Sequence, residues 1–127
     1  MNAKKFATAI NCIDGRTQIP VIEWLKKEYK IDYVDMITEP GPNKILSENK
    51  DSFTIQAIRR KVEISLTKHN SKIIAITGHH DCAANPVDRE THLKQILSAV
   101  ETIKMWNLGV DVIGLWVDEN WEVHKVE

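Results

Sequence analysis

The sequence predicts an α/β fold: a mainly parallel central sheet of strand order 2-1-3-4, an antiparallel C-terminal edge strand, and helices on the faces of the sheet. Short apolar runs alternate along the chain with segments whose apolar residues recur every three or four positions. Such alternation is typical of parallel strands joined by helical crossovers. With 127 residues and no repeats, low-complexity tracts or linker, the chain is expected to form one domain, residues 1–127.

The first half of the chain contains two predicted strands and one predicted helix. Lys5–Asn11 is a short apolar run followed by turn residues, which is typical of a buried strand. Pro20 is tolerated in a first helical turn, so the mixed apolar and charged residues of Val21–Tyr29 predict a helix. Residues 32–37 predict the second strand. The Pro40–Pro42 segment, which reads Pro-Gly-Pro, predicts no regular structure.

The second half repeats the pattern with stronger signals. Apolar residues at helical spacing, with Lys and Arg between them, predict a surface helix over about Asp51–His69. Residues 72–77 (KIIAIT) are the clearest buried strand, and Leu93–Ile103 predicts a second amphipathic helix. Residues 111–117 predict a fourth strand, and the alternation in residues 121–126 after a short turn predicts the antiparallel edge strand.

Composition narrows the class of protein. The chain is 43% hydrophobic and 28% charged with a net charge of -1, so its charge balance favours neither nucleic acid nor an anionic membrane as a partner. No apolar run approaches the roughly 20 residues of a membrane span, and the N-terminus does not resemble a signal peptide. Two cysteines are too few for a disulfide scaffold. We therefore expect a reduced, cytoplasmic setting.

Two segments with metal-binding side chains follow neighbouring strands of the predicted sheet. Cys12 lies just past the first strand, and His79, His80 and Cys82 lie just past the third. In the order 2-1-3-4 these two strands are neighbours and the strand order reverses between them, which is where open α/β sheets bind ligands at their carboxyl ends. The fold therefore predicts that two segments remote in sequence meet at one site.

The side chains gathered there suit zinc better than other metals. Zinc prefers thiolate and imidazole ligands, and a catalytic site holds three of them and leaves one position for water. Cys12, Cys82 and one histidine supply such a set, and His79 has a common ligand spacing to Cys82, whereas His80 is expected to point elsewhere. Other interpretations remain open at this point: buried structural thiols, a disulfide or redox pair, and a surface ion pair between Asp14 and Arg16.

Together, the two segments resemble the signature of a known family. Cys12-Ile13-Asp14-Gly15-Arg16 and the loop Gly78–Ala84 (GHHDCAA) resemble the C-x-D-x-R and G-H-x-x-C motifs of the β-class carbonic anhydrases, and residues 114–126 are similar to the last hairpin of that family. The resemblance implies that Cys12, His79 and Cys82 bind Zn²⁺. It also implies that Asp14 and Arg16 form a catalytic dyad beside the metal.

That resemblance implies a lyase that reversibly hydrates carbon dioxide to bicarbonate with a zinc-activated hydroxide. Asp14 would accept a hydrogen bond from the hydroxide while Arg16 orients the carboxylate, or Asp14 would itself occupy the fourth position on the metal and close the site. His80 is a candidate proton shuttle, with hydrogen bonding to the loop backbone as its alternative role, and Gly78 is a candidate auxiliary residue.

Some features differ from the family pattern, and other functions remain open. Gly15 replaces the usual Ser of the first motif, and residues 38–43 (TEPGPN) replace an Arg-Asn-x-x-Asn segment. The alternatives are a zinc hydrolase of carbonyl sulfide or carbon disulfide, a non-catalytic zinc module closed by Asp14, and a metal-free redox protein.

A homo-oligomer is expected, with Trp116 and Trp121 either facing a partner subunit or packing in the core.

Overall fold

The central sheet has the strand order that the sequence predicts. The computed structural model describes residues 3–127, in which five strands lie in the order β2-β1-β3-β4-β5. The elements along the chain are β1 (Phe6–Asn11), a 3₁₀ turn (Gly15–Thr17), α1 (Gln18–Tyr29), β2 (Tyr33–Thr38), α2 (Pro42–Glu48), α3 (Ser52–Lys68), β3 (Ile73–His79), α4 (Arg89–Lys104), β4 (Asp111–Val117) and β5 (Val123–Val126).

Strand pairing brings the carboxyl ends of the parallel strands to one edge. β1 pairs in parallel with β2 and β3, and β3 pairs in parallel with β4. Only β5 is antiparallel, paired with β4 after a turn, as the sequence predicts. The last residue of β3, His79, lies opposite Val117, and the chain leaves β1 at Asn11, so the residues that follow β1 and β3 emerge side by side.

Alternating side chains of the strands form an apolar core on each face of the sheet. On one face Ile74 and Ile76 pack with buried residues of α2, α3 and α4. On the other face Ile73 and Ala75 pack with Val21 and Leu25 of α1. Residues 73–76 are all at most 5% exposed, which explains why their sequence is a continuous apolar run. The prediction of helices on the faces is therefore confirmed.

The prediction that Pro40–Pro42 excludes regular structure is wrong, because helix α2 begins directly at Pro42. The first helical position needs no backbone N–H donor, and the fixed φ of proline already suits a helix. Gly41 precedes it with a left-handed φ of 59°, which turns the chain from the end of β2 into the helix. The proline that looked like a helix breaker is a helix start.

Tryptophan burial decides one open alternative. Trp116 in β4 is 2% exposed and packs in the core, so the alternative in which it faces a partner does not hold. Trp121 lies in the turn before β5, is half-buried and packs partly against the core.

In the part of the chain that the structure describes, no helix has the length and apolar character needed to cross a membrane.

Candidate metal centre

Three potential metal ligands converge at the carboxyl edge of the sheet. Cys12 follows β1, His79 ends β3, and Cys82 lies in the loop after β3. Their side chains are 4%, 1% and 3% exposed. One ligand atom from each residue lies within 4.8 Å of the others, and the two sulfur atoms are 3.9 Å apart. Both cysteines are free thiols. The structure thus brings together residues separated by about half the chain.

The His79 ring presents an unpaired nitrogen to this cluster. Its Nδ1 lies 2.7 Å from the backbone oxygen of His80, and since a carbonyl can only accept, Nδ1 carries the proton and donates it. In the neutral ring the lone pair is then on Nε2. Nε2 is buried and has no hydrogen-bond partner among the described residues. An orphaned buried acceptor of this kind is unusual and marks a place where a ligand can bind.

The turn that carries Cys12 and Asp14 is fixed by short-range hydrogen bonds. Gln18 donates from Nε2 to the Cys12 oxygen at 2.7 Å and to the Asp14 oxygen at 3.2 Å. Thr17 donates its hydroxyl to the Asp14 oxygen at 2.8 Å, and its backbone N–H reaches the same atom at 3.1 Å. Because these bonds end on backbone atoms of Cys12 and Asp14, both side chains start from a fixed backbone.

The planar guanidinium of Arg16 forms a bidentate ion pair with the carboxylate of Asp14. The Nε and Nη2 atoms donate to the two carboxylate oxygens at 3.1 and 2.7 Å. This bidentate geometry is the strongest arrangement of an arginine with a carboxylate. The Asp14 Oδ2 atom lies 3.9 Å from His79 Nε2. The dyad therefore borders the cluster, with the carboxylate held by the guanidinium.

Two further groups hold the Arg16 side chain in place. Arg16 Nη1 donates to the Asp81 carboxylate at 3.3 Å, and Nη2 donates to the Asp81 backbone oxygen at 3.2 Å. The guanidinium carbon also lies 4.4 Å from the ring centre of Trp121, which is a cation–π distance. Arg16 thus bridges the turn after β1, the loop after β3 and the hairpin before β5.

These contacts shift the pKa values of the charged groups. Hydrogen bonds from Arg16 hold the pKa of Asp14 at about 2, against a smaller opposing effect of burial. Proton sharing with Cys82 lowers the pKa of the Cys12 thiol and raises that of Cys82. Burial lowers the pKa of His79, but the Cys12 side chain and the His80 carbonyl outweigh it, so the net shift is upward. These shifts favour the thiolate form at Cys12 and the protonated thiol at Cys82.

The auxiliary residues take different positions. The His80 side chain is exposed and borders a cavity of about 410 Å³, which Asp81, Cys82 and Trp116 also line. Gly78 is packed too tightly for a larger residue, because a Cβ atom there would lie 2.9 Å from Asn43 Nδ2. Gly78 therefore allows close approach of a buried side chain to the strand that carries His79.

Sequence reasoning missed several polar residues around the cluster. Asn43, Asn85 and His92 are each 1% exposed, and together with Gln95 they form hydrogen bonds behind Cys82. The contact of Trp121 with Arg16 was also missed. Single Asn, His and Gln residues in a helix or a loop carry no pattern that distinguishes them. Asp81 contacts Arg16 and lies in sequence between His79 and Cys82. Its position in that motif is the one signal that could have indicated a role at the site.

A protein-family model described as putative carbonic anhydrase matches residues 2–127 of the chain. No curated protein matches it. The match to the family model spans nearly the whole chain and includes both segments that form the cluster.

Solved structures of β-carbonic anhydrases share the fold. The isoform I enzyme of the protozoan Trichomonas vaginalis aligns with a TM-score of 0.59 at 14% identity, over 99% of this chain and 87% of that one. A structure from the study of two tetrameric enzymes of the ascomycete Sordaria macrospora gives 0.57 at 13% identity, over 99% and 82%. The enzyme of the fungal pathogen Aspergillus fumigatus gives 0.54 at 17% identity, over 98% and 76%.

Proposed function

Because the chain belongs to this carbonic anhydrase family and has the β-class fold, we propose that it is a zinc-dependent lyase that reversibly hydrates carbon dioxide to bicarbonate. The observation that carries the proposal is the buried Cys12, His79 and Cys82 cluster bordered by the Asp14–Arg16 dyad. A buried thiol pair alone would fit a structural or redox role. The unpaired imidazole nitrogen and the adjoining ionised carboxylate favour a metal site with catalytic groups.

The residues present fit a zinc ion. Two thiols and one imidazole form a typical donor set for zinc, and three protein ligands leave one position open. With Zn–S bonds of about 2.3 Å, two sulfur ligands of a tetrahedral ion lie about 3.8 Å apart. The measured separation of 3.9 Å agrees with this spacing. We therefore assign the sulfur atoms of Cys12 and Cys82 and the Nε2 atom of His79 as zinc ligands.

When bound, zinc lowers the pKa of a coordinated water to about 7 and so supplies a hydroxide nucleophile at neutral pH. Asp14 would accept a hydrogen bond from that nucleophile and orient it towards carbon dioxide. The ionised carboxylate, 3.9 Å from His79 Nε2, supports this role. Asp14 can do this at neutral pH because its low pKa keeps it ionised. The products are bicarbonate and one proton.

Arg16 has a positioning role in this mechanism. A carboxylate beside a metal is itself a potential ligand, and Asp14 bound in the fourth position would close the site. Arg16 opposes this by occupying both oxygens of Asp14. Asp81 and Trp121 hold the guanidinium from its other sides. The hydrogen bonds from Arg16 to Asp14 support the open, active form of the proposed site.

The released proton must reach solvent, and we propose His80 as an auxiliary residue in this transfer. Its side chain is exposed at the cavity that borders Cys82. A histidine ring nitrogen can accept a proton and release it to buffer, which is the role proposed for His80. We assign His80 this auxiliary role, while its backbone oxygen holds the His79 ring.

We further propose that residues 1–127 act as one domain and that the chain forms a homo-oligomer in a reducing, cytoplasmic setting. Ile13 and Ile19 flank the dyad and are 60% and 66% exposed, which favours a partner surface beside the site. The related Sordaria macrospora enzymes are tetrameric. Two buried free thiols at hydrogen-bonding distance suit a reducing environment.

The proposed function is tested by stopped-flow hydration of carbon dioxide with the zinc-loaded protein. We expect hydration above the buffer rate, loss of this activity after removal of zinc with a chelator, and recovery after zinc is restored. A fully zinc-loaded protein with no hydration activity over pH 6–9 would contradict the enzymatic proposal and favour a closed, non-catalytic zinc module.

A further inference from the structure

Behind the candidate metal centre lies a cluster of buried polar residues with no part in the reaction described above. Asn43 lies on α2, Asn85 lies in the turn after Cys82, and His92 and Gln95 lie one turn apart on α4. Asn43, Asn85 and His92 are buried, and Gln95 is half-buried. We refer to these four residues as the amide clamp.

The side-chain amides of both asparagines converge on the same two acceptors of α4. Asn43 Nδ2 donates to His92 Nδ1 at 3.0 Å and to Gln95 Oε1 at 3.1 Å. Asn85 Nδ2 donates to Gln95 Oε1 at 2.7 Å and lies 3.5 Å from His92 Nδ1. Since two donors point at Nδ1 of His92, that atom is an acceptor in the neutral ring. The clamp therefore joins α2 and the turn after Cys82 through one helix.

The two segments that the clamp joins also touch each other. A Cβ atom on Gly41 would lie 3.3 Å from Asn85 Cβ and 3.5 Å from Ala84 Cβ. A side chain at position 41 would crowd Asn85 by a few tenths of an ångström, and the left-handed φ of 59° independently favours glycine. The amide clamp therefore holds together two segments, at Gly41 and at Ala84–Asn85, that already pack against each other.

These same segments border the proposed zinc ligands. The backbone N–H of Asn85 donates to the Cys82 oxygen at 3.3 Å. The backbone N–H of Glu39, two residues before Gly41, donates at 3.1 Å to the oxygen of Asn11, the residue before Cys12. On a third side, Asn43 packs against Gly78, the residue before His79. Any movement of the two asparagines would therefore be transmitted to the backbone that carries Cys82 and to the strand that carries His79.

We propose that His92 and Gln95 are positioning residues which, by holding the amides of Asn43 and Asn85, fix the two backbone segments around the sulfur ligands and strengthen zinc binding. This inference rests on the proposed zinc site. Outer partners of metal ligands typically contribute about 10–100-fold to metal affinity. Here the outer partners act through backbone groups and lie on a helix, α4, that carries none of the proposed ligands.

The test compares zinc affinity in three variants by competition with a chromogenic chelator, without substrate. Gln95→Leu removes the shared acceptor at a half-buried position, so the fold is expected to tolerate it. Gln95→Glu keeps an acceptor oxygen and serves as the rescue variant. Thr102→Val is the matched control, because Thr102 lies on the same helix and donates to the Leu46 oxygen of α2 at 2.8 Å, outside the clamp.

We expect Gln95→Leu to raise the zinc Kd about 10–100-fold, while Gln95→Glu and Thr102→Val keep the wild-type value. The charge-transfer bands of the cobalt-substituted protein should change only in Gln95→Leu. Wild-type zinc affinity in folded Gln95→Leu, or equal weakening in Thr102→Val, would overturn the clamp and leave the proposed function intact. A wild-type protein that binds no zinc would overturn both.

Discussion

The two ends of the central sheet both bury polar side chains, but they satisfy them in different ways. Towards the amino end, Thr8 hydrogen-bonds to Ser65 at 2.6 Å and to Ser71 at 2.8 Å, and Ser65 donates to Asp35 at 2.7 Å. His69 completes this network by contacting Asp35 at 2.6 Å. At the carboxyl end the thiols and imidazole are just as buried, but His79 Nε2 has no partner among residues 3–127.

The difference between the two ends supports the proposed metal site at the carboxyl end. In the part of the chain that the structure describes, three buried side-chain nitrogen or oxygen atoms lack a partner: His79 Nε2, Asn85 Oδ1 and Trp116 Nε1. All three lie at the carboxyl end. An unpaired buried polar group costs about 1–3 kcal/mol. Of the three atoms, His79 Nε2 is the one that belongs to the Cys12, His79 and Cys82 cluster, so it supports a metal site at the carboxyl end. Cavity volume alone would favour the other end, since the amino-end cavity of about 740 Å³ exceeds the cavity of about 410 Å³ beside Cys82.

The largest expected effect is the loss of metal in Cys82→Ala. Removing one of three proposed ligands should reduce the zinc content from about one ion per chain to background, because two remaining side chains bind zinc poorly. Elemental analysis of the purified protein measures this. Ser71→Ala, which removes a buried hydroxyl at the amino end, is the control and should keep its zinc. Retained zinc in Cys82→Ala would show that the ligand assignment is wrong.

Asp14→Ala should separate chemistry from metal binding. Zinc content is expected to stay at the wild-type level, while kcat/KM for carbon dioxide hydration falls about 100–10,000-fold, the usual range for loss of a proton-accepting group. Stopped-flow assays give the rates. Asp81→Asn is the control, since Asp81 contacts Arg16 from the side away from Asp14, and its loss should cost far less. Full activity in Asp14→Ala would remove the dyad from the mechanism.

A smaller effect is expected from Trp121→Leu. The ring of Trp121 lies against the Arg16 guanidinium, and such contacts contribute about 0.5–2 kcal/mol. Loosening Arg16 should lower kcat/KM about twofold to thirtyfold, with zinc content unchanged. Trp121→Phe keeps an aromatic face, so its kcat/KM should lie between those of the wild type and Trp121→Leu. Equal rates in wild type and both variants would mean that Trp121 only fills space in the hairpin.

The smallest effect on function is expected from Ser65→Ala, at the other end of the sheet. It breaks the bonds to Thr8 and Asp35 and should destabilise the fold by about 1–3 kcal/mol. Urea unfolding of the zinc-loaded protein measures that loss. Zinc affinity and hydration rate should stay at wild-type values. A drop in either at a temperature where the variant is folded would show that the two ends of the sheet are coupled.

Much of the fold and the centre of the site follow from the sequence because their signals are local. The apolar run of β3 and the Cys-x-Asp pattern after β1 each indicate a strand end, and the topology then forces the two ends together. Helix α2 was missed because Pro-Gly-Pro is a strong turn signal and only the φ of Gly41 shows that the turn leads into a helix. The contact between Trp121 and Arg16 could not be predicted, because it joins residues remote in sequence and no local pattern indicates it.

The central claim is that Cys12, His79 and Cys82 bind one zinc ion, and zinc K-edge X-ray absorption of the purified protein tests it most directly. We predict about one zinc per chain, bound by two sulfur atoms at about 2.3 Å and by lighter nitrogen or oxygen ligands. A protein that binds no zinc, or binds it through nitrogen and oxygen alone, would contradict the account.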